Sequence, residues 1–351
     1  MMCDKLFYKD SAECLSVSYS RLLQDIKETD SFKPFCKSHS YYDVFRNIIV
    51  SLLVDKEIVL LDSDFSDVEI EKLIGTPSLL GQEVSIDIPS GISEESLAGF
   101  IRQNASSWRI TLFTSGTTGL PKRVSHTFES ITRFVRNGDK HQNDVWGFAY
   151  NPTHMAGLQV FFQALLNLNP MIRLFGLDKK TIVHEVRENR ITNISATPTF
   201  YRLLLPAEDV CPSVTRITSG GEKFDEHALT LLQEMFPNAR ITNVYASTEA
   251  GTLFASKGNE FTIKEEMEHL IKVEEHELFL HKSLMGESSG LQTEGDWYAT
   301  GDLIEVTGHS PFTFHFISRK NELINVGGYK VNPIEVEEII RLCPGVLDVS
   351  V

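Results

Sequence analysis

Apolar and polar positions along the 351 residues change rhythm several times, and each change predicts an element. The unbroken run Ile58 to Leu61 predicts a buried strand, closed by the polar turn Asp62-Ser63-Asp64. A stretch read as mostly loop leads to Trp108, and the apolar residues up to Phe113 predict a second strand feeding a Ser/Thr/Gly-rich loop. Ile131, Phe134 and Val135 fall at helical spacing. Beyond them Val145 to Tyr150, Met171 to Leu174, Ile191 to Ala196 and Val214 to Thr218 predict strands, and Ala228, Leu229, Leu232, Met235 and Phe236 form one face of a helix. Strands alternating with helices predict an α/β core.

After Thr252 the segments shorten, with Leu278 to His281, Trp297 to Thr300 and Phe312 to Phe316 as strands of an appended β-rich region. Asn332-Pro333-Ile334-Glu335 carries a helix start: Asn can cap, Pro fits the first helical position, and Glu can complete a capping box. Val336, Ile339, Ile340 and Cys343 could then face a core before Pro344 and Gly345 interrupt, and 346–351 resembles a strand beginning. One helix and one strand cannot easily bury both their apolar faces. Residues 321–351 are therefore expected to begin a second domain after a large domain at 1–320, with a satellite packed on the main body as the alternative.

Composition narrows the partners. A net charge of −15 disfavours a broad nucleic-acid surface but leaves room for a local phosphate pocket. The five cysteines, Cys3, Cys14, Cys36, Cys211 and Cys343, are dispersed and odd in number, so neither a disulfide framework nor a thiolate metal cluster is indicated. The N-terminus lacks an apolar signal core and no run resembles a membrane span, which makes a cytoplasmic setting the default expectation.

The sharpest chemical feature is Thr114-Ser115-Gly116-Thr117-Thr118-Gly119-Leu120-Pro121-Lys122. Gly116 and Gly119 allow a backbone to approach a ligand closely, while Ser115, Thr117 and Thr118 offer hydroxyl and amide donors to phosphate oxygens. Lys122 adds a positive charge. The spacing is not that of a Walker loop, and Ser115 lacks the glycine-flanked elbow of a serine nucleophile. From composition alone a surface turn stays open.

Together with Gly220-Gly221-Glu222, Tyr245-Ala246-Ser247-Thr248-Glu249, Thr300-Gly301-Asp302-Leu303 and Ser318-Arg319-Lys320-Asn321, in that order, this loop resembles the AMP-forming adenylate-forming superfamily of acyl-CoA synthetases, firefly luciferases and nonribosomal peptide adenylation domains. The resemblance covers roughly Arg109 to Val351. It implies an α/β fold: a large N-terminal adenylate-forming domain with a β-rich subdomain, then the start of a small mobile C-terminal domain. It also implies an ATP-binding, AMP-forming acid-thiol ligase.

By the same resemblance Thr114 to Lys122 is the phosphate loop, Thr248 contacts the α-phosphate, and Glu249 holds Mg2+. Thr248, Glu249 and Lys122 are then the catalytic set. Gly220, Gly221 and Glu222 line the nucleotide or acyl site. Tyr245 offers a face to adenine, or is a core aromatic with a satisfied hydroxyl, and Ala246 stands where the family normally has Gly. Asp302 accepts from the ribose, and Arg319 helps fix ribose or phosphate.

The acid end is less sharply marked. Asn151-Pro152-Thr153-His154-Met155-Ala156-Gly157 resembles the acyl-pocket segment of small carboxylate-CoA ligases, with His154 and Gly221 as substrate residues and a core or loop histidine as the alternative. Amino-acid-selecting domains commonly place an aspartate in this region, a role Ala156 does not reproduce, so a non-amino small carboxylic acid is expected. Leu158, Val160, Phe161 and Phe162 suggest an apolar substrate or simply a core.

Asn321 matches the hinge, with Asn in place of the usual Asp, and Gly327-Gly328 matches the loop of the thiol channel. The acceptor is CoA, or alternatively the phosphopantetheine of an acyl carrier protein. The family's late lysine lies beyond the matched region, and Lys330 does not substitute for it. A nucleotide-binding regulatory module without full turnover is the remaining alternative.

Overall fold

The computed structural model describes residues 4–351 apart from 115–120, 208, 221–225, 289–292, 321–323, 327–328, 332, 342, 344–345, 347–348 and 350. Ser115, Gly116, Thr117, Thr118, Gly119, Gly221, Glu222, Asn321, Gly327 and Gly328 therefore lie outside the described residues.

The β-branched and aromatic runs form two sheets that organise the site. In the larger, 14-stranded sheet, Leu6–Asp10, Met171–Arg173, Trp146–Phe148, Asn193–Ala196, Arg216–Gly220 and Arg240–Ser247 lie side by side and parallel. Gly251–Lys257 then turns back antiparallel and continues the sheet into the β-rich region of Glu260–Thr262, Phe312–Arg319, Trp297–His309, Glu277–His281 and Ile271–Glu274. A five-stranded sheet runs Glu287–Ser288, Lys122–Thr127, Arg109–Thr114, Ile58–Leu60, Phe35–Cys36. The expected α/β core and β-rich region are both present.

Three apolar clusters hold these layers. The largest joins the helices Tyr41–Leu53 and Met155–Leu165 to the strands beneath, with Phe45 and Phe161 stacked 4.9 Å apart. A second packs the helices Lys179–Glu188, Pro198–Leu203 and Glu226–Met235 on the parallel strands, and a third fills the β-rich region.

Several expectations need correction. The supposed loop before Trp108 contains the helices Asp67–Ile74 and Glu94–Asn104. Both open with capping boxes, Ser66 with Glu69 and Ser93 with Ser96, and Leu97 and Ile101 are fully buried. The helix expected to carry Phe134 and Val135 is only Phe128–Thr132, and Phe134 is exposed.

The strands Trp297–His309 and Phe312–Arg319 run past the expected ends because each satisfies the other's backbone across a long antiparallel ladder. The late helix exists as Pro333–Arg341; of the expected face Val336 and Ile340 are half-buried, whereas Ile339 and Cys343 are exposed. No strand occurs among the described residues of 346–351. Among the described residues, Ile324–Val326 and Tyr329–Val331 pair only with each other.

Candidate active site

Parallel strands place their following loops at one edge, where helix starts and free backbone donors favour ligands. Here a cleft of about 2650 Å³ opens along that edge and over one face of the large sheet. Single-ligand pockets commonly hold about 300–1,000 Å³, so the space accommodates a nucleotide and a second substrate together. Lys122, His154, Gly220, Tyr245, Thr248, Glu249, Asp302 and Arg319 all line it. Residues scattered over nearly 200 positions of sequence are thereby brought to one cavity.

Lys122 begins its strand directly opposite Thr114, so the two ends of the Ser/Thr/Gly loop are fixed as neighbours by antiparallel pairing. Gly220 ends its parallel strand beside Val244, and a Cβ there would stand 2.6 Å from the valine methyl. Only a hydrogen fits that approach. Thr248 and Glu249 follow the Arg240–Ser247 strand, and a register shift between Tyr245 and Ala246 alters the strand's path just before them.

Tyr245 and Asp302 form the electrostatic centre of the described site. The Tyr245 hydroxyl donates to Asp302 Oδ2, and Arg319 Nε donates to Oδ1 at 3.0 Å. Asp302 is 3% exposed, and this burial pushes its carboxyl above the ordinary range against the opposing effects of Tyr245 and Arg319. Burial and the neighbouring carboxylate also hold the Tyr245 phenol neutral, far above its usual value.

The tyrosine ring stacks on Phe254 at 5.6 Å and meets Phe261 and Phe314 edge-on. It thus packs as a core aromatic with its hydroxyl satisfied, while still bordering the cleft. Asp302 is presented within the Trp297–His309 strand at an irregularity where the pairing register with Glu277–His281 shifts, and Gly301 there has a φ of +76° that suits glycine. Glu277 locks that irregularity by accepting from Gly301 N–H at 3.0 Å and Lys320 Nζ at 2.7 Å.

Farther along the cleft, His154 stands at the N-cap position of Met155–Leu165 without a side-chain capping bond, and its Nε2 donates to Asp62 Oδ2 at 2.8 Å. Asn151 donates to the same oxygen at 3.0 Å, and Asp64 N–H to the other. Burial raises the Asp62 pKa, but these donors outweigh it and hold the carboxyl below its usual value. Asp62, which the sequence marked only as a turn residue, thus ties the two sheets together beneath His154. Its place directly after a wholly buried strand was the available signal.

Leu158, Phe161 and Phe162 prove to be fully buried core, which removes them as substrate contacts; Val160 alone of that group lines the cleft. The apolar wall is instead Ile131, Phe134, Met155 and Val160. The parallel strands contribute Asn193, Ser195, Arg216, Thr218, Arg240 and Thr242 to the same lining. Parallel sheets are usually apolar on both faces, so this polar face is one left for water or ligand.

Among the described residues no cluster of three or more His, Cys, Asp or Glu could cage a metal. A lone carboxylate is nonetheless a fitting donor for magnesium, which keeps water and takes its other oxygens from phosphate. No described helix is long and apolar enough to cross a membrane.

Residues 73–271 match the family described as AMP-binding enzyme. Among curated proteins, the 2-succinylbenzoate–CoA ligase of Bacillus subtilis (strain 168) is 24% identical over 333 residues, covering 84% of this chain and 64% of that protein. Nicotinic acid-CoA ligase of Penicillium canescens is 25% identical over 275 residues, 68% of this chain and 48% of that one. The chain thus spans about half to two-thirds of the length of these relatives.

Among solved structures, O-succinylbenzoate coenzyme A synthetase from Bacillus subtilis in complex with ATP and magnesium ion superposes with a TM-score of 0.71 at 18% identity, covering 98% of this chain and 83% of that one. ATP-bound MatB from Rhodopseudomonas palustris gives 0.70 at 15% identity, with 99% and 82% covered. The architecture is therefore the α/β adenylate-forming fold, with a large N-terminal part, a β-rich region and a smaller C-terminal part. With more than half of its length matched to the family and the motif residues gathered at one cleft, this chain belongs to the AMP-binding enzyme family.

Proposed function

We propose that this chain activates a non-amino carboxylic acid with ATP, forming an acyl adenylate and pyrophosphate, and then passes the acyl group to the thiol of CoA. The observation that carries the reading is the convergence of Lys122, Thr248, Glu249, Asp302 and Arg319 with His154 on a cleft large enough for both substrates. That several curated relatives are CoA ligases for organic acids supports the acid class and the acceptor.

A carboxylate oxygen attacks the α-phosphorus, the bond to pyrophosphate breaks, and no covalent enzyme intermediate is needed. Catalysis is then positioning and charge stabilisation. Lys122, with the loop 115–120, offsets phosphate charge. Asp302 keeps lone pairs for ribose hydroxyls beyond those given to Tyr245 and Arg319. Thr248 contacts the α-phosphate, and Gly220-Gly221-Glu222 lines the adenine and acyl side.

Glu249 would hold Mg2+, which would supply neutralisation of phosphate charge. His154, oriented by Asp62, meets the acid. We further propose a domain boundary between 320 and 321, with Asn321 as hinge, Gly327-Gly328 on the thiol channel, and the cytoplasm as the site of action.

The test is acid-dependent pyrophosphate release by the purified chain across a panel of carboxylic acids, with CoA and carrier protein added separately. Release without a thiol supports adenylation. Discharge to a carrier protein and not to CoA overturns the acceptor. No acid-dependent release from a folded chain that binds ATP overturns the enzymatic reading.

A further inference from the structure

The motif residues leave unexplained what fixes Thr248 and Glu249, which follow a strand of one sheet, relative to Lys122, which opens a strand of the other. His126 occupies that joint. It lies four residues beyond Lys122 on the same strand and is 1% exposed. Its Nε2 is 2.8 Å from the carbonyl oxygen of Thr248, and its Nδ1 is 3.0 Å from Ser130 Oγ.

A carbonyl oxygen only accepts, so Nε2 carries the proton and Nδ1 accepts from the serine hydroxyl. Burial pushes the imidazole below its ordinary pKa, which favours this neutral form.

The next carbonyl is held as well. Gly286 N–H donates to Glu249 O at 2.6 Å. The segment bearing Gly286 is anchored to the same sheet as His126: Glu287 and Ser288 pair with Ser125 and Val124, and Arg133 donates to the carbonyls of Leu284 and Ser283 at 3.2 and 3.3 Å. A Cβ on Gly286 would stand 2.6 Å from Cε1 and 2.8 Å from Nε2 of His126. The imidazole and the bare glycine therefore share one space, and a side chain at 286 would drive the ring from the Thr248 carbonyl.

We infer that His126, seated against Gly286, is a positioning residue that clamps the Thr248–Glu249 backbone to the strand bearing Lys122 and so sets the spacing of the phosphate- and magnesium-binding groups. Its consequence for nucleotide binding rests on the proposed adenylation; the clamp itself does not.

The experiment compares the whole chain as wild type, His126→Leu, His126→Gln, Gly286→Ala and the double variant His126→Leu/Gly286→Ala. Hydrogen exchange is read at two amides that report the clamp, Ala250, which donates to Ser247 Oγ, and Gly286. The Leu and Ala variants should speed exchange there at least about tenfold, and the Gln side chain, which keeps a donor, should restore it. The double variant should fall short of the sum of the two single effects, because both changes break the His126 contact while Gly286→Ala also presses on the Ser125 carbonyl, 2.9 Å from its Cβ.

In ATP titrations the Mg2+ concentration for half-saturation should rise at least about tenfold in His126→Leu and stay within about threefold in His126→Gln. Unchanged exchange in a folded His126→Leu protein overturns the inference. So does a fall in thermal stability with unaltered Mg2+ dependence, which is what a merely structural histidine gives. If His126→Leu does not fold, Gly286→Ala and the Gln variant decide. A wild type that binds no ATP at any Mg2+ concentration refutes the adenylation reading alone, and the exchange data still decide whether the clamp exists.

Discussion

Replacing Asp302 tests the centre of the site, because its carboxylate is both buried and doubly engaged. In Asp302→Ala the Tyr245 hydroxyl loses its acceptor inside an aromatic cluster, at a cost of about 1–3 kcal/mol. Arg319 is half-exposed and regains water, so its lost ion pair adds at most about 1 kcal/mol. The sum is about 1–4 kcal/mol. For 351 residues the unfolding entropy is about 0.7 kcal/mol per degree, which converts that loss to a melting temperature lower by about 1–5 °C in a two-state transition.

Under the proposed role of Asp302, ATP should suffer more, since two charge-assisted bonds to ribose hydroxyls at about 1.5–3 kcal/mol each would correspond to at least about a hundredfold in Kd. The neutral Asp302→Asn carries a pH signature. The folded carboxyl has a raised pKa, so the stability tied to its protonated form is complete below the ordinary carboxylate value and is lost as pH rises through the folded value. Wild type should therefore lose ground to Asp302→Asn as pH rises across that window.

Calorimetry for ATP binding and thermal melts over pH measure these effects. An Asp302→Ala protein melting within about 1 °C of wild type and binding ATP within about threefold refutes the argument, as does a wild type that gains on Asp302→Asn with rising pH.

Glu249→Gln should leave the melting temperature within about 1 °C while weakening magnesium-dependent ATP binding at least about tenfold, because an amide is a poorer ligand for a hard cation; an unmoved Mg2+ titration refutes it. Asp62→Asn should raise the KM for the acid several-fold and leave that for ATP unchanged, since Asp62 orients His154 and not the nucleotide residues; equal effects on both substrates refute it. Asp62 has a lowered folded pKa, so its stability contribution is present above the ordinary carboxylate value and disappears as pH falls through the folded one, and the gap between wild type and Asp62→Asn in melts should close in acid. Gly157→Ala should cost about 1–3 kcal/mol, because its Cβ would lie 2.3 Å from the Asn151 carbonyl and displace the helix start that bears His154; a melt superimposable on wild type refutes this.

Trp146–Phe148, Met171–Arg173, Asn193–Ala196 and Arg216–Gly220 were legible because each lies in a short apolar run bounded by turn residues, whereas Leu6–Asp10, with Lys9 and Asp10 in it, carried no such signal; the family was legible because its motif residues keep their order along the chain. The helices Asp67–Ile74 and Glu94–Asn104 were missed because few of their residues are buried, leaving a weak periodic signal, although Ser66 with Glu69 and Ser93 with Ser96 announced their starts. Phe161 and Phe162 illustrate the opposite difficulty. An apolar side chain looks the same in sequence whether it lines a pocket or fills a core, and here both fill the core.

What the sequence by itself determined is the set of groups on offer: a Ser/Thr/Gly-rich loop with donors suited to a polyanion, and the carboxylates and guanidinium to which the family resemblance assigns the cation, ribose and phosphate. Those are properties of side chains and local spacing. Which of them meet was decided only by the tertiary structure. The pairing of Asp302 with Tyr245 and Arg319, the hold of Asp62 on His154 and the contact of His126 with Thr248 all join residues 17 to 122 positions apart. Such contacts depend on strand register and on how two sheets pack, and neither is encoded in a local pattern.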